Sequence, residues 1–296
     1  MKEKIGIKVA LLANLVIFII MLVGTIVLFL EQSSSLEAQL LDKGKMQSVI
    51  GAKIVSRLME EAIDNRVFSE DDAFDQDYQK MPGDFDPPKF NTKYDSYLDR
   101  TLLPLEDEFL LDDSVVFAVA VDVNGYLPTH NTRYTKEITG DKEKDLVGNR
   151  TKRVFNDSVG IKAAKNTQQG FLQVYHRDTG ETMWDVSSPI YVKGKHWGGF
   201  RIGSSLKVIN AAKNRLMYMV IAIMSSILLI SIVIVFIVVN STLQPLEKLT
   251  AIAEEIAAGK IEDKIEYNSS DEVGKLASAL EKLRMSMVIA MKRLKK

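Results

Sequence analysis

Aromatic and charged side chains recur along the apolar runs in the middle of this chain: Tyr126 and His130, then Tyr175 and Arg177, then Trp184 and Asp185. Residues of these kinds suit reversible recognition. An arginine holds a carboxylate through two parallel N–H···O bonds, and tyrosine and tryptophan join a large apolar ring to one polar atom. The same side chains serve equally well as core or surface residues of a sheet, so they stand as candidates for contact with a small-molecule ligand. Bond-making chemistry has less behind it. The chain has no cysteine, which excludes disulfides, thiolate zinc sites, thioether-attached haem and cysteine nucleophiles. Its three histidines, His130, His176 and His196, come with neither an i, i+4 pair nor a carboxylate constellation, so ordinary hydrogen bonding is expected of them and neither a metal nor a cofactor is. No nucleophile and no paired acid and base speaks for an enzyme. With 38 basic against 39 acidic residues, nothing in the charge calls for a nucleic-acid partner.

The elements that must position these candidates read as strands. Val115 to Val121 is β-rich and apolar and leads through Asn124-Gly125, a two-residue hairpin signal, into Tyr126 to His130. Phe171 to His176, Met183 to Val192 and Trp197 to Ile202 follow, joined by turns at Asp178-Thr179-Gly180 and Lys193-Gly194-Lys195. A short helix is expected over Ser158 to Lys165. The pattern predicts a five-strand antiparallel sheet fed by a long N-terminal helix whose stripe is Leu36, Leu40, Ile50, Ile54 and Leu58. That α+β plan suits a PAS-like or Cache-like fold, with helices and loops closing over one face to form a pocket. The acidic stretch between helix and sheet carries Asp71, Asp72, Asp75 and Asp77, which lack EF-hand spacing and read as a solvated loop rather than a calcium site.

Two uncharged runs, Val9 to Leu30 and Leu216 to Val239, each exceed the roughly 20 residues that cross about 30 Å of hydrocarbon as a helix. The alternative for the first is a cleaved signal peptide, given Lys2, Lys4 and Lys8, but its apolar core is long and EQSSSLEAQ makes a poor cleavage site. The expected organisation is a cytoplasmic tail 1–8, a span 9–30, an outer domain 31–215, a span 216–239 and a cytoplasmic module 240–296 in an inner membrane. Lys207, Lys213 and Arg215, just before the second span, run against the charge rule for that orientation.

The C-terminal module carries two heptad stretches around a polar connector. Leu246, Leu249, Ala253 and Ile256 keep 3-4 spacing, as do Val273, Leu276, Leu280, Leu283, Met287 and Ala290. Stripes this narrow call for a partner helix, hence a homodimer packed as a parallel four-helix bundle. Gly259 suits a left-handed cap, Ser269, Ser270 or Asp271 can cap the second helix, Glu272 favours its positive end, and Pro245 is expected in the first turn of a new helix. Ile261 and Ile265 read as pins that hold the connector.

With Pro245-Leu246, Glu254, Gly259, Ile261, Ile265 and Asp271-Glu272-Val273-Gly274, this segment resembles a HAMP domain, the linker of bacterial chemoreceptors, sensor histidine kinases and membrane cyclases; an ordinary dimerising coiled coil is the alternative. The stretches NRTKRVFNDSVGIKAAKNTQ and LQVYHRDTGETMWDVSSPIYVKGKHWGGFRIG resemble the Cache/PAS-type sensor region of methyl-accepting chemotaxis receptors. These resemblances imply a chemotaxis or two-component type receptor that senses outside and passes a signal to a separate cytoplasmic protein. The competing class is a membrane adaptor that binds no small molecule and presents a dimeric docking bundle.

Overall fold

The computed structural model describes residues 5–177 and 180–294. Along the chain lie helix α1 (Ile5–Asp64), α2 (Glu70–Ala73), strands β1 (Gln79–Lys80) and β2 (Phe90–Asn91), helices α3 (Asp95–Thr101) and α4 (Leu103–Glu108), and strands β3 (Val115–Asp122) and β4 (Tyr126–Leu127). Next come α5 (Lys142–Gly148), β5 (Arg153–Val154), α6 (Ser158–Ala164), β6 (Phe171–His176), β7 (Thr182–Val192), β8 (Lys195–Ser205), α7 (Leu206–Ala257) and α8 (Glu272–Leu294). Two compact units result: Leu30–Met217, and the described residues up to Phe29 together with those from Tyr218 onward.

In the first unit four strands make an antiparallel sheet ordered β3-β8-β7-β6. Five were expected. Tyr126 and Leu127 turn away after Gly125, which has φ +81°, and pair instead with Val154 and Arg153. Side chains close the edge of β3 where the fifth strand was expected: Asn131 Oδ1 accepts from Ala118 N at 2.9 Å, and Glu106 Oε1 accepts from Ala120 N at 3.1 Å. A sheet edge whose N–H groups already have acceptors offers a further strand nothing to pair with. Of the turns, Lys193-Gly194 is present with both residues at positive φ, whereas Asp178 and Thr179 lie outside the described residues. Lys2 and Lys4 lie outside them as well.

Helix α1 covers one face of this sheet, but not along the stripe of its largest residues. Ser48, Ala52, Val55, Met59 and Ala62 are buried, while Ile50 is 45% exposed. Small side chains win because the helix comes close: a Cβ on Gly51 would collide with Cε1 of Phe200, and Ser48 Oγ lies 2.7 Å from Ser188 Oγ of β7. Ala118, Ala120, Ile190, Phe200 and Ile202 supply the sheet side of this core. The acidic stretch is more ordered than expected. Ser69 caps α2 by accepting from Asp72 N, Asp72 accepts in return from Ser69 N and pairs with Lys93 at 2.7 Å, and Asp75 accepts from Lys93 N at 3.0 Å.

In the second unit α7 is unbroken, so Pro245 sits inside a helix and not in the first turn of a new one. Lacking an N–H, it leaves the carbonyl four residues earlier without its helical donor. Gly259, at φ +90°, ends α7 with Gly259 N donating to Ile256 O and Lys260 N to Glu255 O. Asp271 caps α8, its Oδ1 accepting from Gly274 N at 2.9 Å, and the turn is so tight that a side chain on Gly274 would collide with Ser269 O. Leu249, Ile256, Ile265 and Ala277 form a buried cluster with Ile252, Ile261, Val273 and Leu280 against it. Leu246 and Ala253 are half-buried, and Leu276, Leu283 and Met287 are exposed on the single chain. An ion pair on α8 grips the connector by its backbone: Arg284 Nη1 donates to Ile261 O at 2.7 Å, and Glu281 Oε2 accepts from Ile265 N at 3.0 Å and from Arg284 Nε at 2.9 Å.

The helix–sheet contact can be tested at one atom. Gly51→Ala should destabilise the protein by about 1–3 kcal/mol through overpacking, seen as a lower midpoint in thermal unfolding. Ile50→Ala, one residue away on the exposed side, should stay within about 0.5 kcal/mol of wild type; equal effects would show that α1 does not press on the sheet at this point.

Candidate functional site

The sheet face opposite α1 carries Phe117, Val119 and Val121 of β3 and Met183 of β7 as a second, smaller core. Beside it opens a cavity of about 390 Å³. Its walls come from Phe117 and Val119, from Leu127 of β4 and His130 beyond it, from Arg150 and Phe155 around β5, and from Asp157 to Val159 at the start of α6. Tyr175, His176 and Arg177 at the end of β6, with Arg201 of β8, complete them.

The lining is cationic and aromatic. Arg201 Nε lies 3.1 Å from Asp185 Oδ1 and its Nη2 2.9 Å from Oδ2, a bidentate pair buried between neighbouring strands. Removing one partner of such a pair costs about 3–5 kcal/mol because the other charge stays behind. Arg177 stacks on Tyr134 at 4.9 Å and on Phe117 at 5.5 Å, and it donates to Tyr134 Oη at 3.4 Å. Arg150 and Arg153 both stand over Phe155 at 5.1 Å. Burial and then the neighbouring Arg150, Arg177, Arg153 and Arg201 hold the His130 imidazole well below its ordinary pKa. It is therefore neutral, and its buried Nδ1 has no hydrogen-bond partner. A neutral imidazole keeps one N–H donor and one lone-pair acceptor. Burial raises the Tyr175 phenol, which stays a neutral hydroxyl. Arginine forks, an imidazole N–H and a phenol among aromatic walls can hold a small anion.

Of the six residues read from the sequence as ligand candidates, His130, Tyr175 and Arg177 meet at the cavity. Asp185 lies behind its wall, on Arg201. Tyr126 is elsewhere, buried in the larger core with its hydroxyl donating to Asp95 Oδ2 at 2.6 Å and lying 3.0 Å from Phe90 O. Trp184 alternates to the α1 side of β7, the side of Ser188. Sequence reasoning missed Arg150, Phe155 and Arg201 as wall residues. Arg201 had a usable signal, since a charge within the apolar run Gly199 to Ile202 demands a buried partner.

A second buried carboxyl holds His130 in place. Glu106 of α4 accepts from Thr129 Oγ1 at 2.9 Å, and its main-chain oxygen accepts from Asn131 Nδ2 at 2.7 Å, so the residues on either side of His130 are both anchored to it. Burial pushes this carboxyl up to about 8, against the hydrogen bonds from Thr129 and Ala120. Between its ordinary 4.5 and about 8 the folded chain keeps a proton that the unfolded chain has released. Stability from this group is thus complete below the ordinary value and is lost as pH rises through the folded one. The melting temperature of the wild type should fall from roughly pH 6 to about pH 8, and Glu106→Gln should flatten that slope; parallel slopes in a pH series of thermal melts would show that Glu106 is already ionised in the fold.

Comparison with known proteins gives a family for one segment. Residues 237–288 match the HAMP domain family. No curated protein matches the chain. Among solved structures, the chain is similar to an extracellular ligand binding receptor from Desulfohalobium retbaense at 14% identity and a TM-score of 0.35, over 62% of this chain and 25% of that one. It is also similar to the sensor domain of Escherichia coli DcuS, at 18% identity and TM-score 0.28, over 39% of this chain and 75% of that one. The sensory domain of the Campylobacter jejuni chemoreceptor Tlp3 with isoleucine bound matches at 12% identity and TM-score 0.31, over 61% and 65% of the two chains. This chain thus spans a quarter of the first of these structures and about two thirds of the third.

Proposed function

We propose that this chain is a transmembrane receptor that binds a small organic anion outside the cytoplasmic membrane and relays that binding through its HAMP domain to a separate cytoplasmic signalling protein. The observation that carries the reading is the cavity itself, where Arg177, Arg201 and a neutral His130 converge beside Tyr175. A cavity with converging polar groups favours sensing over an adaptor without a ligand. Two long apolar helix segments support membrane insertion, and the HAMP match supports signalling in preference to catalysis. On this reading residues 31–215 are the outer sensor, 9–30 and 216–239 the spans, and the tail 1–8 and residues 240–296 are cytoplasmic. Lys213 forms an ion pair with Glu37, which weakens the objection that basic residues raise against this orientation. The ligand acts by binding one of two sensor conformations better than the other, and the shift biases two packings of the HAMP bundle.

Two experiments test this. Full-length protein in lipid nanodiscs, melted against a panel of small carboxylic acids, should be stabilised by about 2.7 kcal/mol at a hundredfold excess of ligand over its Kd, and Arg177→Gln should abolish the shift while leaving the unliganded melt nearly unchanged. Silence across the panel would remove direct anion sensing. For the dimer, Leu283 is 55% exposed on the single chain at a seam position, and the chain has no native cysteine. Leu283→Cys should cross-link to a second copy in membranes under mild oxidation, and Lys282→Cys, on the outer face, should cross-link far less; equal yields would argue against the parallel seam.

A further inference from the structure

The ring of Phe117 has two guanidinium groups against it, Arg177 at 5.5 Å and Arg201 at 5.8 Å. Both arginines are 6% exposed, and both line the cavity. They differ in what stands behind them. Arg201 is matched by a carboxylate that is 0% exposed and grips it with both oxygens, Nε at 3.1 Å from one and Nη2 at 2.9 Å from the other. Arg177 has Tyr134 and Phe117, and among the described residues no carboxylate pairs with it. Asp185 does not reach the cavity. It stands in register with Gly203 on β8, two residues from Arg201 on the same face, so the pair is built into the ladder and does not depend on a mobile loop.

We infer that Asp185 sets how much anionic charge the site accepts: by cancelling Arg201 it removes one of the two guanidinium charges that stand against Phe117, so the site favours a dianion over a monoanion of the same length less than it would without Asp185. This rests on the reading of the cavity as an anion site. Arg150 also lines the cavity, over the Phe155 ring at 5.1 Å, so the effect of Asp185 is read as a difference between wild type and variant. Asp157 lines the cavity, but its Oδ1 is occupied as the cap of α6, accepting from Val159 N at 2.9 Å and Gly160 N at 3.0 Å, and its charge further disfavours a second carboxylate. His130 and Tyr175 are neutral and offer hydrogen bonds without charge.

Butyrate and succinate, four-carbon acids that differ by one carboxylate, are the probes, titrated into the full-length chain in nanodiscs. Asp185→Asn adds one uncompensated positive charge and should raise the succinate-to-butyrate affinity ratio about tenfold. Asp185→Asn combined with Arg201→Gln removes a matched pair, and the ratio should return toward that of the wild type. A purely structural role predicts that both variants weaken both acids alike, and that result, or an unchanged ratio, overturns the role of Asp185. Should Asp185→Asn fail to fold, Asp185→Ser leaves room for a chloride ion beside Arg201, and its preference for succinate should appear at low chloride and fade as chloride is raised; a ratio that ignores chloride overturns the role equally. Absence of binding of either acid by wild type and by variants that still melt cooperatively overturns the anion-site reading beneath it.

Discussion

A guanidinium placed inside a four-stranded sheet has to find its counter-charge on the neighbouring strand, and the pairing of Arg201 with Asp185 meets that need across β8 and β7. The demand is strict. An unpaired charge at this depth is far more costly than any single packing defect in the sheet, so a slip of one residue, which would carry Asp185 to the opposite face, is strongly opposed. With the register held, Phe117 and Val119 of β3 fall on the side of the ion pair, Ala118 and Ala120 fall on the side of α1, and the cavity forms where the strand ends meet α6 and the segment after β4.

The two faces use different means. Against α1 the sheet accepts small residues and gains close contact, with Gly51 lying on Phe200 and serine hydroxyls meeting between helix and strand. On the other face, packing gives way to charge and aromatic surface, and the side chains that line the cavity are held by their neighbours: Arg201 by Asp185, Arg177 by Tyr134, and His130 by a segment anchored to Glu106. Groups positioned this way bind a ligand without first being ordered, which is how preorganisation contributes to affinity. One nitrogen of His130 remains unsatisfied in a buried setting, the kind of local conflict between rules that marks a working site more often than a structural one.

Much of the C-terminal module was legible because its signals are local. Gly259 as a left-handed cap and Ile261 and Ile265 as connector pins depend on a few adjacent residues, and the structure has them in those places. Pro245 misled for the same local reason: a proline alone does not tell a first turn from an interior site in a helix whose neighbours carry it through. In the sheet domain, β7 is buried on both faces along most of its length, so alternation shows that two sides exist without showing which one faces the cavity. Trp184 and Asp185 therefore looked equivalent. Arg150 and Phe155 lie in stretches without periodicity, brought to the cavity by the β4–β5 pairing, which nothing within either two-residue strand announces.

The grip of Glu281 and Arg284 on the connector falls on main-chain atoms of Ile261 and Ile265. A hold on the backbone is indifferent to side-chain identity. Substitutions along the polar part of the connector leave the anchoring chemistry untouched, whereas a change at either member of the α8 pair loosens the entire segment at once. The connector is in this sense free to vary in the residues it presents to other molecules, and the burden of keeping its path is concentrated in two positions on a helix outside it.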